Sequence, residues 1–377
     1  MGAIWGVPCG VAGHGVTGDP RSVGYQYLVV SSLGTFAMFA LMTLASPLLA
    51  QRADPKLVSR LMPAGFLLPV AIAILLFFFA SCKKPVPAEG ATPKAVFIIV
   101  DGISADVIEE LNPPALEEIS KAGGYTRAYV GGEKGTHTET PTISAVGYNS
   151  LLTGTWVHKH NVWGNAIKDP NYHYPDIFRI AKEYNPELKT AIFSTWTDNR
   201  TKLVGEGLPQ TGGIQLDYHF DGLELDTVTY PHDNNSDYIH RIDEAVAAEA
   251  ARYIQENGPD LSWVYLQYTD DMGHRFGNSE KFYEAIRMAD AQVGKVWEAI
   301  KARENKFSED WLIVVTTDHG RDSINGRHHG GQSDRERLTW IVTNADNLNE
   351  RFNQSPGVVD IMPSLAHHLQ IPIPDEV

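Results

Sequence analysis

The spacing of apolar and polar positions divides the chain into two unlike parts, a hydrophobic stretch ending at Cys82 and a patterned one from residue 95 onward. From Ala95 the run AVFIIVDG is continuously apolar and closes on Asp and Gly, as a strand buried on both faces of a parallel sheet does. LKTAIFST (188–195), LSWVYLQYTD (261–270), WLIVVTTDHG (311–320) and LTWIVTN (338–344) have the same character. Helical patterns lie between them. PPALEEISKAGG (113–124) starts with Pro and stops with Gly, and SDYIHRIDEAVAAEAARYIQENG (236–258) has a Ser cap and a Gly stop. SEKFYEAIRMADAQVGKVWEAIKA (279–302) is a third. This alternation predicts an α/β domain, a mostly parallel central sheet flanked by helices. The polar segment 196–235 is expected to form a loop or lid over the site.

The amino-terminal part reads as membrane material. No charge interrupts the chain between Arg21 and Arg52, and a second uncharged run, LMPAGFLLPVAIAILLFFFASC (61–82), follows Lys56 and Arg60. Roughly 20 apolar residues suffice to cross a bilayer. The second run has the basic flank, apolar middle and small-residue end of a secretory signal. Phe79-Ala80-Ser81-Cys82 resembles a bacterial lipoprotein signal, in which the cysteine is lipidated. The expected organisation is a hydrophobic segment 1–61 outside the mature protein, a signal 62–82, a tether 83–94 and a catalytic domain 95–377. Met62 or a nearby codon would be the true start. The domain is then expected on the outer side of a membrane in the cell envelope, held by a lipid. The alternative is two transmembrane helices joined by residues 51–61.

Composition narrows the partners. With 31 Lys+Arg against 46 Asp+Glu the net charge is −15, which lacks the basic footprint of a nucleic-acid binder. A hydrophobic fraction of 43% rules out global disorder, and two cysteines, Cys9 and Cys82, cannot form a disulfide framework in the domain.

Three predicted strands run into potential metal ligands at their carboxyl ends, where α/β sheets collect functional residues. Asp101 follows FIIV, Asp270 follows WVYLQYT with His274 four residues on, and Asp318-His319 follow LIVVTT with His328-His329 close behind. Such Asp/His sets suit Zn²⁺ or Mn²⁺. Taken singly, each is more often a cap, a turn or a surface residue. Together they would require several coincidences. The hydroxyl-rich segment TPTISAVGYNSLLTG (140–154) supplies a nucleophile, and equally reads as a capped helix with Leu151 and Leu152 in the core. Both hold if the nucleophile opens a helix, whose N–H groups stabilise anions.

These motifs, in this order, resemble the alkaline phosphatase superfamily and within it the type I phosphodiesterase / nucleotide pyrophosphatase family. The resemblance runs over about residues 95–375, through FIIVDG, PTIS, LLTG, HNVWGN, D-x-x-G-H-R-F-G, TTDHG, HHGG and DIMPSLAHHLQIPIP. It implies an alkaline-phosphatase-like sandwich and two divalent metal ions, with zinc favoured. It implies Ser144 as the nucleophile, nine residues before Thr153, with Thr142 as runner-up. Asn165, 21 residues beyond Ser144, matches the family's phosphoryl-binding asparagine. Asp101, Asp318 and His319 match the ligands of the metal that holds Ser144. Asp270, His274 and His329 match the second set, with His328 as runner-up. The implied activity is hydrolysis of a small-molecule phosphoric diester or anhydride through a phosphoserine intermediate, with no separate histidine base.

Two departures bear on specificity. Nucleotide-cleaving members carry an aromatic residue directly after the nucleophile, whereas this chain has Ala145, leaving Trp163, Trp156, Tyr148 or Trp196 to offer a stacking face. The usual Pro before Asp270 is Thr269. Of the rivals, a sulfatase needs C/S-x-P/A-x-R, which Ser144-Ala145-Val146-Gly147-Tyr148 lacks. A phosphomonoesterase needs extra cations, for which Arg200, Lys202, Arg275 and Arg321 read better as solvated surface charge. A membrane phosphoethanolamine transferase carries more hydrophobic segments, and an inactive binding domain would lack a ligand or the nucleophile.

Overall fold

Strand β1 (Thr92–Val100) is apolar on both sides because both sides are covered. Val96, Ile98 and Val100 enter one hydrophobic core, while Ala95, Phe97 and Ile99 enter a second on the opposite face. The computed structural model describes residues 90–375 and 377. Six further strands complete the sheet: β2 (Gly124–Tyr129), β3 (Thr190–Ser194), β4 (Tyr218–Phe220), β5 (Leu261–Leu266), β6 (Glu309–Thr316) and β7 (Leu338–Thr343). Their spatial order is β2-β7-β6-β1-β5-β3-β4. Strands β6, β1, β5, β3 and β4 are mutually parallel in register, and β7 alone runs against its neighbours.

Helices close both faces. The first core takes α1 (Ala105–Leu111), α2 (Pro114–Ala122), α5 (Asp237–Asn257) and α7 (Glu280–Lys306). The second takes α3 (Ser144–Thr153), α4 (Ile177–Tyr184) and α8 (Ile361–His368). A further helix, α6 (Tyr268–Phe276), sits directly at the carboxyl end of β5.

Several expectations are corrected. LTWIVTN forms β7, but antiparallel to β6. Residues 317–337 hold only the single helical turn Asp334–Arg337, too little for the crossover that a parallel return needs. The run LSWVYLQYTD is a strand only to Leu266, after which the chain enters α6, so Asp270 stands on a helix. Helix α5 is not capped by Ser236, which lies at φ 60° with no side-chain bond to the helix. Asp233 instead accepts the N–H groups of Asp237 and Tyr238. Segment 196–235 adds the edge strand β4, and β2 forms the other edge; neither GYTRAY nor YHF carries an apolar run that would announce a strand. Strand β1 starts inside the stretch read as tether, where Lys94 is buried against Asp260 at 2.7 Å.

Among the described residues no helix is long and apolar enough to cross a membrane. The two hydrophobic runs, Cys82 and most of the tether lie outside the described residues.

Buried Asp243 of α5 fixes how α6 leaves the sheet. Its carboxylate accepts the Thr195 hydroxyl at 2.5 Å and the backbone N–H groups of Gln267 and Tyr268 at 3.1 and 2.9 Å. Asp243→Ala would strand two buried N–H groups at the start of α6 and lower stability by about 2–4 kcal/mol. Urea denaturation of the two proteins measures this, and a loss below about 1 kcal/mol would mean that α6 is held from elsewhere.

Candidate active site

The site stands where three adjacent parallel strands end. Asp101 follows β1, Asp318-His319 follow β6, and Asp270 lies one turn into α6 after β5. Because β6, β1 and β5 are neighbours in that order, the three carboxylates are brought side by side. Asp270 and His274 share one face of α6 at the i,i+4 spacing, with His274 Nε2 at 3.2 Å from Asp270 Oδ2. His329 reaches in from the loop before β7, its ring stacked on His319 with centroids 3.7 Å apart. Ser144 is the first residue of α3, and its Oγ lies 3.4 Å from His319 Nε2.

Two ligand groups emerge. In one, Asp101, Asp318 and His319 present ligand atoms within 4.8 Å of one another, and in the other Asp270, His319 and His329 do so. His274 joins the second group, its Nε2 3.0 Å from His329 Nε2. His319 therefore stands between the two groups instead of belonging to the first alone. His328 is turned away: its backbone pairs with Asp322 and its side chain is exposed. Thr142 is also occupied, its hydroxyl donating to the Gly331 carbonyl and accepting the Gly330 N–H, both at 2.9 Å. Of the two hydroxyls considered, Ser144 alone adjoins the histidines.

Each histidine is oriented in the same way. Nδ1 of His319 lies 2.9 Å from the Gly320 carbonyl, Nδ1 of His274 2.8 Å from the Arg327 carbonyl and Nδ1 of His329 2.8 Å from the Thr142 carbonyl. A carbonyl only accepts, so Nδ1 carries the proton and the Nε2 lone pair points into the site, as metal-ligating histidines require. Lone pairs 3.0 Å apart on His274 and His329 repel unless a proton or a cation stands between them.

The carboxylates are divided in the same manner. The phenols of Tyr148 and Tyr265 both donate to Asp101 Oδ2, the latter at 2.7 Å. The Gly102 N–H donates to Asp318 Oδ1 at 3.1 Å. Arg321 donates to Asp270 Oδ1 at 2.6 Å. The remaining oxygens Asp101 Oδ1 and Asp318 Oδ2 are buried with no hydrogen-bond partner among the described residues, 3.5 and 3.3 Å from His319 Nε2. Two orphaned carboxylate oxygens facing an imidazole lone pair fit a divalent cation.

The electrostatics follow from this crowding. Burial, then the Asp318 and Asp270 charges, hold the Asp101 carboxyl well above its ordinary range. Burial pushes Asp318 up to about 7. Burial and then the neighbouring His329 keep His319 well below its usual value, and burial lowers His329. For Asp270 burial acts upward, but the His274 bond and the Arg321 charge outweigh it and hold the carboxyl down. The bond to Asp270 raises His274.

Asn165 is exposed at the rim, and its Oδ1 accepts the Ala145 N–H at 3.0 Å. With that oxygen committed, the Nδ2 donors are the part of Asn165 available to a substrate. The aromatic candidates separate: Tyr148 is buried on Asp101, Trp156 packs on Tyr129, Trp196 is half-buried, and Trp163 is 56% exposed with Nε1 bonded to Asn161.

Three residues have roles here that the sequence does not announce. Tyr148, a candidate stacking face, and Tyr265, one residue of a buried strand, both serve Asp101: Tyr148 lies one turn after Ser144 and Tyr265 points to the same face of the sheet. Arg321 was read as surface charge and is in fact fully buried. The other cations are engaged too: Arg200 with Asp221 and Glu206, Lys202 with Asp198, and Arg275 with Asn235. Thr269, in the place of the usual proline, donates to the Asp101 carbonyl at 2.6 Å and ties α6 to the end of β1.

The comparisons with known proteins decide the family. The model of the type I phosphodiesterase / nucleotide pyrophosphatase family matches residues 95–337. The chain belongs to this family. A bis(5'-adenosyl)-triphosphatase, enpp4, of Xenopus laevis is 20% identical over 259 residues, 67% of this chain and 52% of that protein. A venom phosphodiesterase of Naja atra is 20% identical over 246 residues, 61% of this chain and 26% of its own length. The chain thus spans about half, or less, of the curated relatives it matches. Among solved structures, a 2-O GAG sulfatase superposes with a TM-score of 0.53 at 13% identity, covering 76% of this chain and 72% of that one. A phosphonate monoester hydrolase of Agrobacterium radiobacter gives 0.52 at 14%, with 74% of each chain covered. At such identities the likeness is one of fold, and the fold is alkaline-phosphatase-like.

Asp318 offers a clean test of the buried charge. A carboxyl raised from its ordinary value to about 7 in the native protein favours folding below the unfolded pKa and loses that contribution as pH rises through 7. In metal-stripped protein, Asp318→Asn is therefore expected to be more stable than the parent by about 2–4 kcal/mol at pH 8, with the advantage vanishing near pH 4. The same substitution should diminish the rise in Tm on adding Zn²⁺, since only the second group then remains to bind the ion. Differential scanning calorimetry at the two pH values measures both effects, and a parent protein that is the more stable at pH 8 would refute the reading.

Proposed function

We propose that the protein is a two-metal hydrolase of phosphoric diesters or phosphoanhydrides with Ser144 as nucleophile. The observation that carries this is the convergence of three Nε2 lone pairs and two orphaned carboxylate oxygens beside a serine at the first turn of a helix. Family membership and the names of the relatives agree with phosphoester chemistry. Asp101, Asp318 and His319 would hold one divalent ion and Asp270, His274 and His329 the other, with His319 between them. The Asp/His donor set accepts zinc or manganese, and the family resemblance favours zinc. Bound ions would lower the pKa of the serine hydroxyl and draw charge from the leaving oxygen.

The chain's own residues do the rest. Ser144 Oγ attacks phosphorus in line as the bond to the leaving oxygen breaks, giving a phosphoserine. Water then cleaves that ester and restores the serine. The positive end of α3 and the Asn165 Nδ2 donors would face the non-bridging oxygens, where negative charge grows. Arg200 and Arg321, two of the cations weighed for a monoester's extra charge, are paired with carboxylates, which favours a substrate with a second ester or anhydride group. Trp163 is the exposed aromatic face closest in sequence to Asn165 and the position from which a planar leaving group could be held.

Anchoring in the cell envelope through Cys82 belongs to the same proposal. Incorporation of labelled palmitate, lost in Cys82→Ser, is its expected signature, and equal labelling of both proteins would remove it.

The deciding experiment loads the full chain, in detergent, with Zn²⁺ and compares bis(p-nitrophenyl) phosphate, p-nitrophenyl phosphate and p-nitrophenyl sulfate. The diester should turn over fastest, Ser144→Ala should abolish turnover, and Asn165→Ala should lower kcat about a hundredfold. Faster turnover of the monoester would overturn the specificity, and an active Ser144→Ala would overturn the nucleophile.

A further inference from the structure

Arg321 sits where an arginine is an unexpected neighbour for a metal site. Its side chain is fully buried, and its guanidinium donates to Asp270 Oδ1 at 2.6 Å and, through Nε, to the Gly326 carbonyl at 2.6 Å. The carbonyls of Gly102 and Arg327, each at 3.3 Å, complete its partners. The passage is built for it. A Cβ on Gly273 would come within 2.4 Å of the guanidinium carbon, and one on Gly102 within 2.7 Å of Nη1. A guanidinium stays protonated at any pH that proteins meet. The charge beside Asp270 is therefore permanent.

The two ligand groups consequently differ in charge. Asp101 and Asp318 bring two carboxylates whose facing oxygens have no partner, and the groups that hold their other oxygens, two phenols and a backbone N–H, are neutral. Asp270 is the one carboxylate of the other group, and Arg321 both cancels its charge and occupies one of its oxygens. The second group is also the more open, with His274 exposed where His319 is not.

We propose that the two metal positions are unequal, the Asp101–Asp318–His319 position filling first, and that Arg321 sets the gap by weakening the Asp270–His274–His329 position. The second ion is then the exchangeable one, so that activity follows the free concentration of the divalent cation. Arg321 is a positioning residue: its burial keeps it from substrate, and it acts through Asp270. The inference rests on the two-metal reading above.

The test is a binding titration of the metal-stripped full chain in detergent, with Zn²⁺ competed against a chromophoric chelator and Co²⁺ followed by its visible absorption. The parent protein should bind two equivalents in steps about a hundredfold apart or more. Asp318→Asn should remove the tighter step. Arg321→Met, which deletes the opposing charge, should tighten the weaker step by about tenfold or more and leave the tighter one in place, whereas Arg321→Lys should keep the gap. Two equal steps in the parent would overturn the proposal. So would an Arg321→Met protein that binds both ions more weakly, as loss of a merely structural contact would produce. Binding of a single equivalent would instead bring down the two-metal reading, and this inference with it. If Arg321→Met does not fold, the parent's two steps and their assignment by Asp318→Asn decide the matter.

Discussion

Buried like charge is the constraint on which this structure turns. Asp101, Asp318 and Asp270 are gathered at the ends of three neighbouring strands, and two of them are removed from water almost completely. An ionised carboxylate in such a place is costly unless a cation or hydrogen bonds compensate it. The protein supplies only half of that compensation for Asp101 and Asp318. One oxygen of each is satisfied by phenols or a backbone N–H, and the other is left bare. A stable domain keeps such groups only where something else completes them, and the histidine lone pairs around them point to a divalent cation.

The surrounding fold can be read as the apparatus that keeps those half-satisfied groups in register. Strand β1, covered on both faces, is the rigid rod from which Asp101 projects. Thr269 ties the first turn of α6 to the Asp101 carbonyl, and Asp243 fixes the same turn from α5. Thr142 clasps the Gly330–Gly331 backbone with its hydroxyl while its carbonyl orients His329. Because Thr142 is two residues before Ser144, Ser144 and His329 are held by a single short stretch of chain. Such outer contacts set ligand orientation more than they add affinity of their own.

How much of this was legible in the sequence depended on how local each signal is. The central strands announced themselves, since a strand covered on both faces must be apolar throughout, and Asp101, Asp318 and His319 stand directly beyond two of them. The i,i+4 pairing of Asp270 and His274 is present in the spacing, though the start of the helix that gives it meaning continues the apolar pattern of strand β5. Edge strands β2 and β4 were missed because a short strand held from one side needs no apolar run. The direction of β7 depends on the length of the return path, which no single residue displays. The choice between His328 and His329 required coordinates, since neighbouring residues differ only in which way the loop turns them.

Arg321 was the residue least open to a sequence reading, for a physical reason. An arginine after a strand-end Asp-His-Gly is ordinarily solvated, and nothing nearby in sequence marks it otherwise. Its burial is prepared by residues far away along the chain: Gly102 after β1 and Gly273 on α6 leave the space, and the carbonyls of Gly326 and Arg327 accept its donors. Each glycine alone would pass for a turn or a helix irregularity. Only the assembled tertiary structure makes them two walls of one passage. The same passage explains how a cluster able to hold a cation can tolerate a fixed cation so near it. The guanidinium is spent on Asp270 and on backbone carbonyls, so its charge bears on that one carboxylate and leaves the Asp101–Asp318 pair to be balanced from outside the chain.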